Sequence, residues 1–238
     1  AVLGAISGVL KSYCNVNEVI SGIMLNWIVL YLTNMLLTTV KEDTSPYTLV
    51  LSTTNPSALL PSLGIGALFD NNQYVGLALP LSLVMALLVW VVLGRTKFGY
   101  ELKATGFNKN AAKYCGMAEK RNVILSLMIS GALAGMGGAY LTTCYSSTYT
   151  DGIVAGRGFI ALAAVIFGRW SAGGVLLACL FFGFCDALQI RLQVSGIAIP
   201  YQFFQMIPYV ATVVVLSVIG TKQAGPKANG QPYRREQR

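Results

Sequence analysis

Apolar residues along this chain fall in long blocks separated by short charged stretches, not in the alternating or three-to-four spacing of a water-facing fold. Five blocks, at residues 19–40, 74–93, 123–145, 173–190 and 200–219, approach or reach about 20 residues. That is the helix length needed to cross some 30 Å of hydrocarbon. A sixth block, 158–167, is short, and extends toward Ile153 only by taking in Gly156 and Arg157. The pattern predicts an all-α, polytopic integral membrane protein with about six transmembrane helices in this piece.

Charge placement orients these helices, because loops rich in Lys and Arg stay in the cytoplasm. Residues 95–121 hold seven basic side chains against Glu101 and Glu119, and the segment from Lys222 holds five against Glu236. Both read as cytoplasmic. Residues 41–73 carry one Lys against Glu42, Asp43 and Asp70 and read as external. The third crossing then ends outside near Thr150, so an odd number of crossings must follow it before the tail. Three works if 158–167 crosses as a short or tilted element; a re-entrant segment buried in protein is the alternative. The domain reading is a transmembrane domain over 1–221 and a basic cytoplasmic tail over 222–238.

Composition agrees with the blocks. Of 238 residues, 55% are apolar and 11% charged, less than half of the roughly 25% charge of a soluble domain. A soluble enzyme is excluded. There is no His, which removes imidazole general-base chemistry and His-ligated metal sites, and the five cysteines show no CxxC spacing. No metal site is expected. Ala1–Leu10 reads as the end of an apolar segment already under way, which predicts a C-terminal piece of something longer or a gene fragment.

Small residues predict where helices touch. Gly131, Gly135, Gly137 and Gly138 lie in the third crossing, with GxxxG spacing at Gly131 and Gly135. Such positions let helix backbones approach within one subunit or between two. Gly156-Arg157-Gly158-Phe159-Ile160-Ala161 matches a loose nucleotide fingerprint, but no strand precedes it and its surroundings are membrane-apolar, so it is rejected. No phosphate-binding GxxxxGK[ST] loop occurs; if ATP drives this protein, another chain binds it.

Two sets of residues could carry function. In the basic loop, Asn108 or Asn110 suits a helix N-cap and Gly116 the position after a helix end. A short helix is expected between them, with Ala111 and Ala112 beside exposed Lys109 and Lys113. It either presents itself to a cytoplasmic partner or is a solvated loop with positive-inside charge. Within the crossings, Asn26 and Asn34 lie on the first, Asp186 and Gln189 share a face of the fifth, and Gln202 and Gln205 share one at the start of the sixth. Polar groups there either line a substrate path or bond neighbouring helices; Arg157 and Arg191 are the candidate partners of Asp186.

At these residues the chain resembles a known family. The stretch Asn17-Glu18-Val19-Ile20-Ser21-Gly22-Ile23-Met24-Leu25-Asn26 is similar to the Asn-Glu-Val-Ile-Ser-Thr-Ile-Met-Leu-Asn signature of bacterial ABC importer permeases for nucleosides and simple sugars. Gly106-Phe107-Asn108-Lys109-Asn110-Ala111-Ala112, ending at Gly116, resembles their cytoplasmic loop. The stretches 158–170 and 182–193, and the tail 225–235, resemble further family blocks. One departure is Gly22, where the signature carries Thr; if that hydroxyl contacts substrate or a helix, packing or selectivity differs here.

The resemblance implies a permease of the ribose and branched-chain amino acid importer superfamily, longer at the N-terminus by about four crossings. It implies a multi-pass protein of the bacterial plasma membrane that takes up nucleosides, or alternatively pentoses or other simple sugars. Its partners would be a cytoplasmic ABC ATPase carrying ATP and Mg, a sibling or identical second permease subunit, and an external substrate-binding lipoprotein. The chain itself would bind no cofactor, catalyse nothing and contact no nucleic acid. Gly106, Asn108, Ala111, Ala112 and Gly116 would form the ATPase coupling loop, and Asn26, Asn34, Asp186 and Gln189 the substrate path. An ion-coupled secondary transporter would bury more ionisable residues than Asp186, and a membrane scaffold would need no polar face.

Overall fold

The computed structural model describes residues 1–40, 48–50, 78–145, 148–150, 153–154 and 156–194, with positions 203, 206, 209, 210, 213, 214 and 217. Of the crossing expected at 200–219 only those seven positions are described, and Gln202, Gln205 and the basic tail at 222–238 lie outside the described residues. Helices dominate: α1 (Val2–Cys14), α2 (Glu18–Val40), α3 (Ala78–Arg95), α4 (Lys97–Phe107), α5 (Lys109–Tyr114), α6 (Glu119–Tyr140), α7 (Arg157–Phe167) and α8 (Ala172–Val194). Strands β1 (Thr48–Val50) and β2 (Thr148–Thr150) form one antiparallel pair, with Leu49 opposite Tyr149.

Among the described residues, three helical stretches are long and apolar enough to cross a membrane, Glu18–Thr39, Glu119–Thr143 and Ala172–Leu192. Pro80–Arg95 and Lys97–Phe107 make a fourth candidate, bent by 72°. The bend has a local cause. The Thr96 hydroxyl donates to the Val92 carbonyl at 2.6 Å and accepts from the Gly99 amide at 3.1 Å, ending α3 and capping α4 with one side chain. A Cβ on Gly99 would overlap the Val92 carbonyl, so this tight corner requires glycine. The third crossing differs slightly from the apolar block that marks it. Its helix opens four residues earlier, at Glu119, and closes through a single π turn at Leu141–Tyr145.

The chain forms two compact units. In the first, from Ala1 to Ile153, α1 packs along α6. Glycine backbones make the seam: Gly131 sits with its Cβ direction 3.2 Å from the Gly4 backbone, and a Cβ on Gly8 would lie 2.9 Å from the Ile124 Cα. Without a hydrophobic drive in lipid, this closeness supplies the dispersion contact that holds the two helices. The sequence expectation is therefore met by Gly131 within one subunit, while Gly135, Gly137 and Gly138 face open space.

Pairing of β1 with β2 brings the segments that follow α2 and α6 together. The opposite end gathers polar contacts. Lys11 pairs with Glu18 at 2.7 Å across the α1–α2 corner, Lys120 lies 4.5 Å above the Tyr13 ring, and Ser7 bonds Ser21 at 3.2 Å.

In the second unit, from Val154 onward, α7 and α8 form a helical hairpin. Ala164, Ala178 and Phe182 are buried between them, with Ile160, Ala163 and Phe167 packed alongside. Phe167, Phe181 and Phe182 form a cluster of rings with centroids 5.7 to 5.9 Å apart. Gly168 and Gly174 meet where the helices turn, and Arg169 and Trp170 take left-handed φ values of 56° and 55°.

Candidate coupling face and substrate-path residues

The basic loop of 95–121 is two helices in succession. After α4, the Asn108 side-chain oxygen accepts from the Asn110 and Ala111 amides, each at 3.1 Å, and starts α5. The helix ends in a Schellman turn: Met117 N–H donates to the Ala112 carbonyl and Gly116 N–H to that of Lys113, each at 3.0 Å, with Gly116 at φ 77°. Both cap expectations at Asn108 and Gly116 hold. α4 had no signal in the apolar pattern, because it depends on the Thr96 cap and on packing against α6, where Asn122 donates to Thr105 at 3.3 Å.

Within α5 the two alanines part company. Ala112 is 3% exposed and packs inward, whereas Ala111 faces out. Lys113 is exposed as expected, but Lys109, expected to be exposed, is half-buried, because the first turn of α5 folds back beside α4. Sequence reasoning also missed two aromatic residues. Phe107 is 91% and Tyr114 89% exposed, so they flank α5 with almost their whole surface free. Two bare rings at the ends of a capped, basic helix form a face suited to seating in a partner's pocket.

Of the membrane polar residues, Asn26 is exposed and Asn34 half-buried on α2, within the first unit. Neither amide is hydrogen-bonded among the described residues. Asp186 (exposed) and Gln189 (half-buried) are on α8, within the second. Among the described residues no ion pair joins Asp186 to Arg157 or Arg191.

Apolar helices of spanning length, with the short helices α4 and α5 between two of them, are those of a polytopic membrane protein. The sequence matches the family described as branched-chain amino acid transport system / permease component over residues 1–216, and the chain belongs to that family. It is 40% identical over 155 residues to the nucleoside ABC transporter permease protein NupC of Lactococcus lactis subsp. cremoris, covering 64% of this chain and 49% of that one. It is 34% identical over 180 residues to the guanosine ABC transporter permease protein NupQ of Bacillus subtilis, covering 73% and 56%. With NupP of the same organism, also a guanosine ABC transporter permease protein, identity is 33% over 219 residues, covering 90% and 60%. The chain thus spans about half to three-fifths of the length of the curated relatives it matches. No solved structure matches.

Proposed function

We propose that the chain is the transmembrane permease subunit of an ATP-binding-cassette importer that takes up nucleosides across the bacterial plasma membrane. What supports this most is that its relatives at 33 to 40% identity bear nucleoside or guanosine permease names. ATP and Mg belong to a separate cytoplasmic ATPase. A second permease subunit, sibling or identical, completes the pathway, and an external binding lipoprotein delivers cargo.

In this reading α5, with Ala111, Phe107 and Tyr114 outward, is the element on which the ATPase acts. ATP closure moves α5, and α4 carries the movement to α3 and α6, which α4 touches directly. Coupling requires α5 to make different contacts with the ATPase in the outward- and inward-open states. In the same reading Asn26 and Asn34 of the first unit, and Asp186 and Gln189 of the second, are the substrate-path residues.

A simple-sugar permease is the second reading, favoured by 33% identity over 179 residues to the putative glucose ABC transporter permease protein TsgC13 of Haloferax volcanii. Uptake of labelled guanosine, adenosine, ribose and leucine, in cells with and without the full-length subunit, separates the two. Selective loss of nucleoside uptake is expected. Loss of ribose uptake alone would move the assignment to sugars.

A further inference from the structure

We propose that the hairpin of α7 and α8 holds a polar site at half-membrane depth, in which Arg157, Asp186 and Gln189 receive the hydroxyl and amide groups of an uncharged solute. The proposal rests on the importer reading above and names where in the chain its cargo is held.

The depth follows from helix lengths. The candidate span Ala172–Leu192 begins directly after the turn that carries Arg169 and Trp170. Arg and Trp favour the membrane–water interface, which fixes the turn at one surface of the bilayer. α7 has only 11 residues, about 16 Å at 1.5 Å per residue. From that surface it reaches about half way across 30 Å of hydrocarbon. Its first residue, Arg157, then lies near the bilayer midplane, preceded by a turn in which Arg157 N–H donates to the Val154 carbonyl at 2.8 Å and Gly156 adopts φ 75°. Non-helical backbone at such depth persists only within protein or beside water.

The register of the hairpin places α8 side chains against this end. Gly168 meets Gly174 at the turn, and Ala164 and Ile160 pack with Ala178 and Phe182. Continuing the same antiparallel register brings Arg157 level with Cys185 and Asp186. The stripe of α8 that faces α7 runs Ala178, Phe182, Cys185, all buried. Its next members at helical spacing are Asp186, four after Phe182, and Gln189, four after Cys185. The stripe changes from apolar to polar where α7 stops covering it, and there the side chains become exposed and half-buried.

A carboxylate and a guanidinium at this depth do not face lipid. Among the described residues at this level, Asp186 and Arg157 bring one charge of each sign, which suits a solute without net charge. The Asp186 carboxylate accepts from hydroxyls, while Gln189 and Arg157 meet the donor and acceptor edges of a base.

The test uses the intact importer in cells, with labelled guanosine as the probe. Asp186→Asn, Gln189→Ala and Arg157→Gln are compared at matched membrane abundance with Leu180→Ala, on the opposite side of α8. The three site variants are expected to raise the KM of uptake at least roughly tenfold, as for loss of one charge-assisted hydrogen bond, and the control is not. A Gln189→Cys variant is expected to react with a water-soluble thiol reagent, and guanosine to slow the reaction. Guanosine import indifferent to all three variants overturns the site and leaves the proposed function standing. If the wild type imports no guanosine, the function reading fails; reagent access to Gln189→Cys then decides whether the water-lined gap exists, and a cysteine closed to reagent overturns it.

Discussion

Ala111 and Ala112 are adjacent and chemically identical, yet replacing each with Glu is expected to do opposite things. Ala112 is 3% exposed, so a glutamate there must overpack its site and bury an unpaired carboxylate. Overpacking alone costs about 1–3 kcal/mol. With partial desolvation of the charge, the total reaches roughly 3–5 kcal/mol, enough to melt the small α4–α5 unit. Ala111 faces outward, where surface changes are worth within about 0.5 kcal/mol. It is also three residues past the Asn108 cap, the position at which a glutamate completes a capping box. Ala111→Glu should therefore leave α5 as stable as before while placing a negative side chain on the face proposed to meet an ATPase. The assay is paired: thermal midpoint of the purified importer, and nucleoside taken up per ATP hydrolysed in vesicles. Ala112→Glu is expected to lower the midpoint and the membrane abundance. Ala111→Glu should keep both and lose uptake per ATP. Normal coupling in Ala111→Glu would refute the docking assignment of α5, and an unchanged midpoint in Ala112→Glu would refute the burial argument.

Removing the cap with Asn108→Ala should cost about 1 kcal/mol and speed amide exchange over 110–114, whereas Asn108→Asp should preserve both. Phe107→Ala and Tyr114→Ala should leave the thermal midpoint unchanged, because both rings are almost wholly exposed. Together they should weaken co-purification of the ATPase roughly 30-fold or more, the loss typical of an aromatic anchor; unaltered co-purification would remove these rings from the interface. Gly131→Leu should destabilise the subunit by about 1–3 kcal/mol through collision with the Gly4 backbone. Gly135→Leu, into open space, should not, and equal midpoints for the two would contradict the α1–α6 seam.

The long helices were legible because lipid imposes a crude rule, an unbroken apolar run of a given length, and α2, α6 and α8 obey it. The α5 caps were legible for a different reason: Asn108 and Gly116 act on their own neighbours, so three to five residues of sequence contain the whole interaction. α4 was not, since Lys97–Phe107 has no apolar run and its stability comes from Thr96 at one end and Asn122 some way along the chain. The same limit applied to the glycines. GxxxG announced that something approaches Gly131, but the partner, Gly4, is identified only by the fold. The half-burial of Lys109 and the extreme exposure of Phe107 were likewise set by how α5 folds against α4. Asp186 and Gln189 stood out as polar residues in an apolar helix, yet their position just beyond the end of α7 depends on the hairpin register, which no local pattern encodes.

The seam between α1 and α6 also sets an order of events during synthesis. From Gly4 to Gly131 the ribosome must add roughly 127 residues, about 6 to 25 s at about 5–20 residues per second. Through that interval the Gly4 and Gly8 face of α1 waits without the α6 backbone that it packs against. Slow translation before α6 would prolong the exposure of this helix to membrane quality control, and a synonymous change that stalls the ribosome there should reduce yield without altering a single side chain.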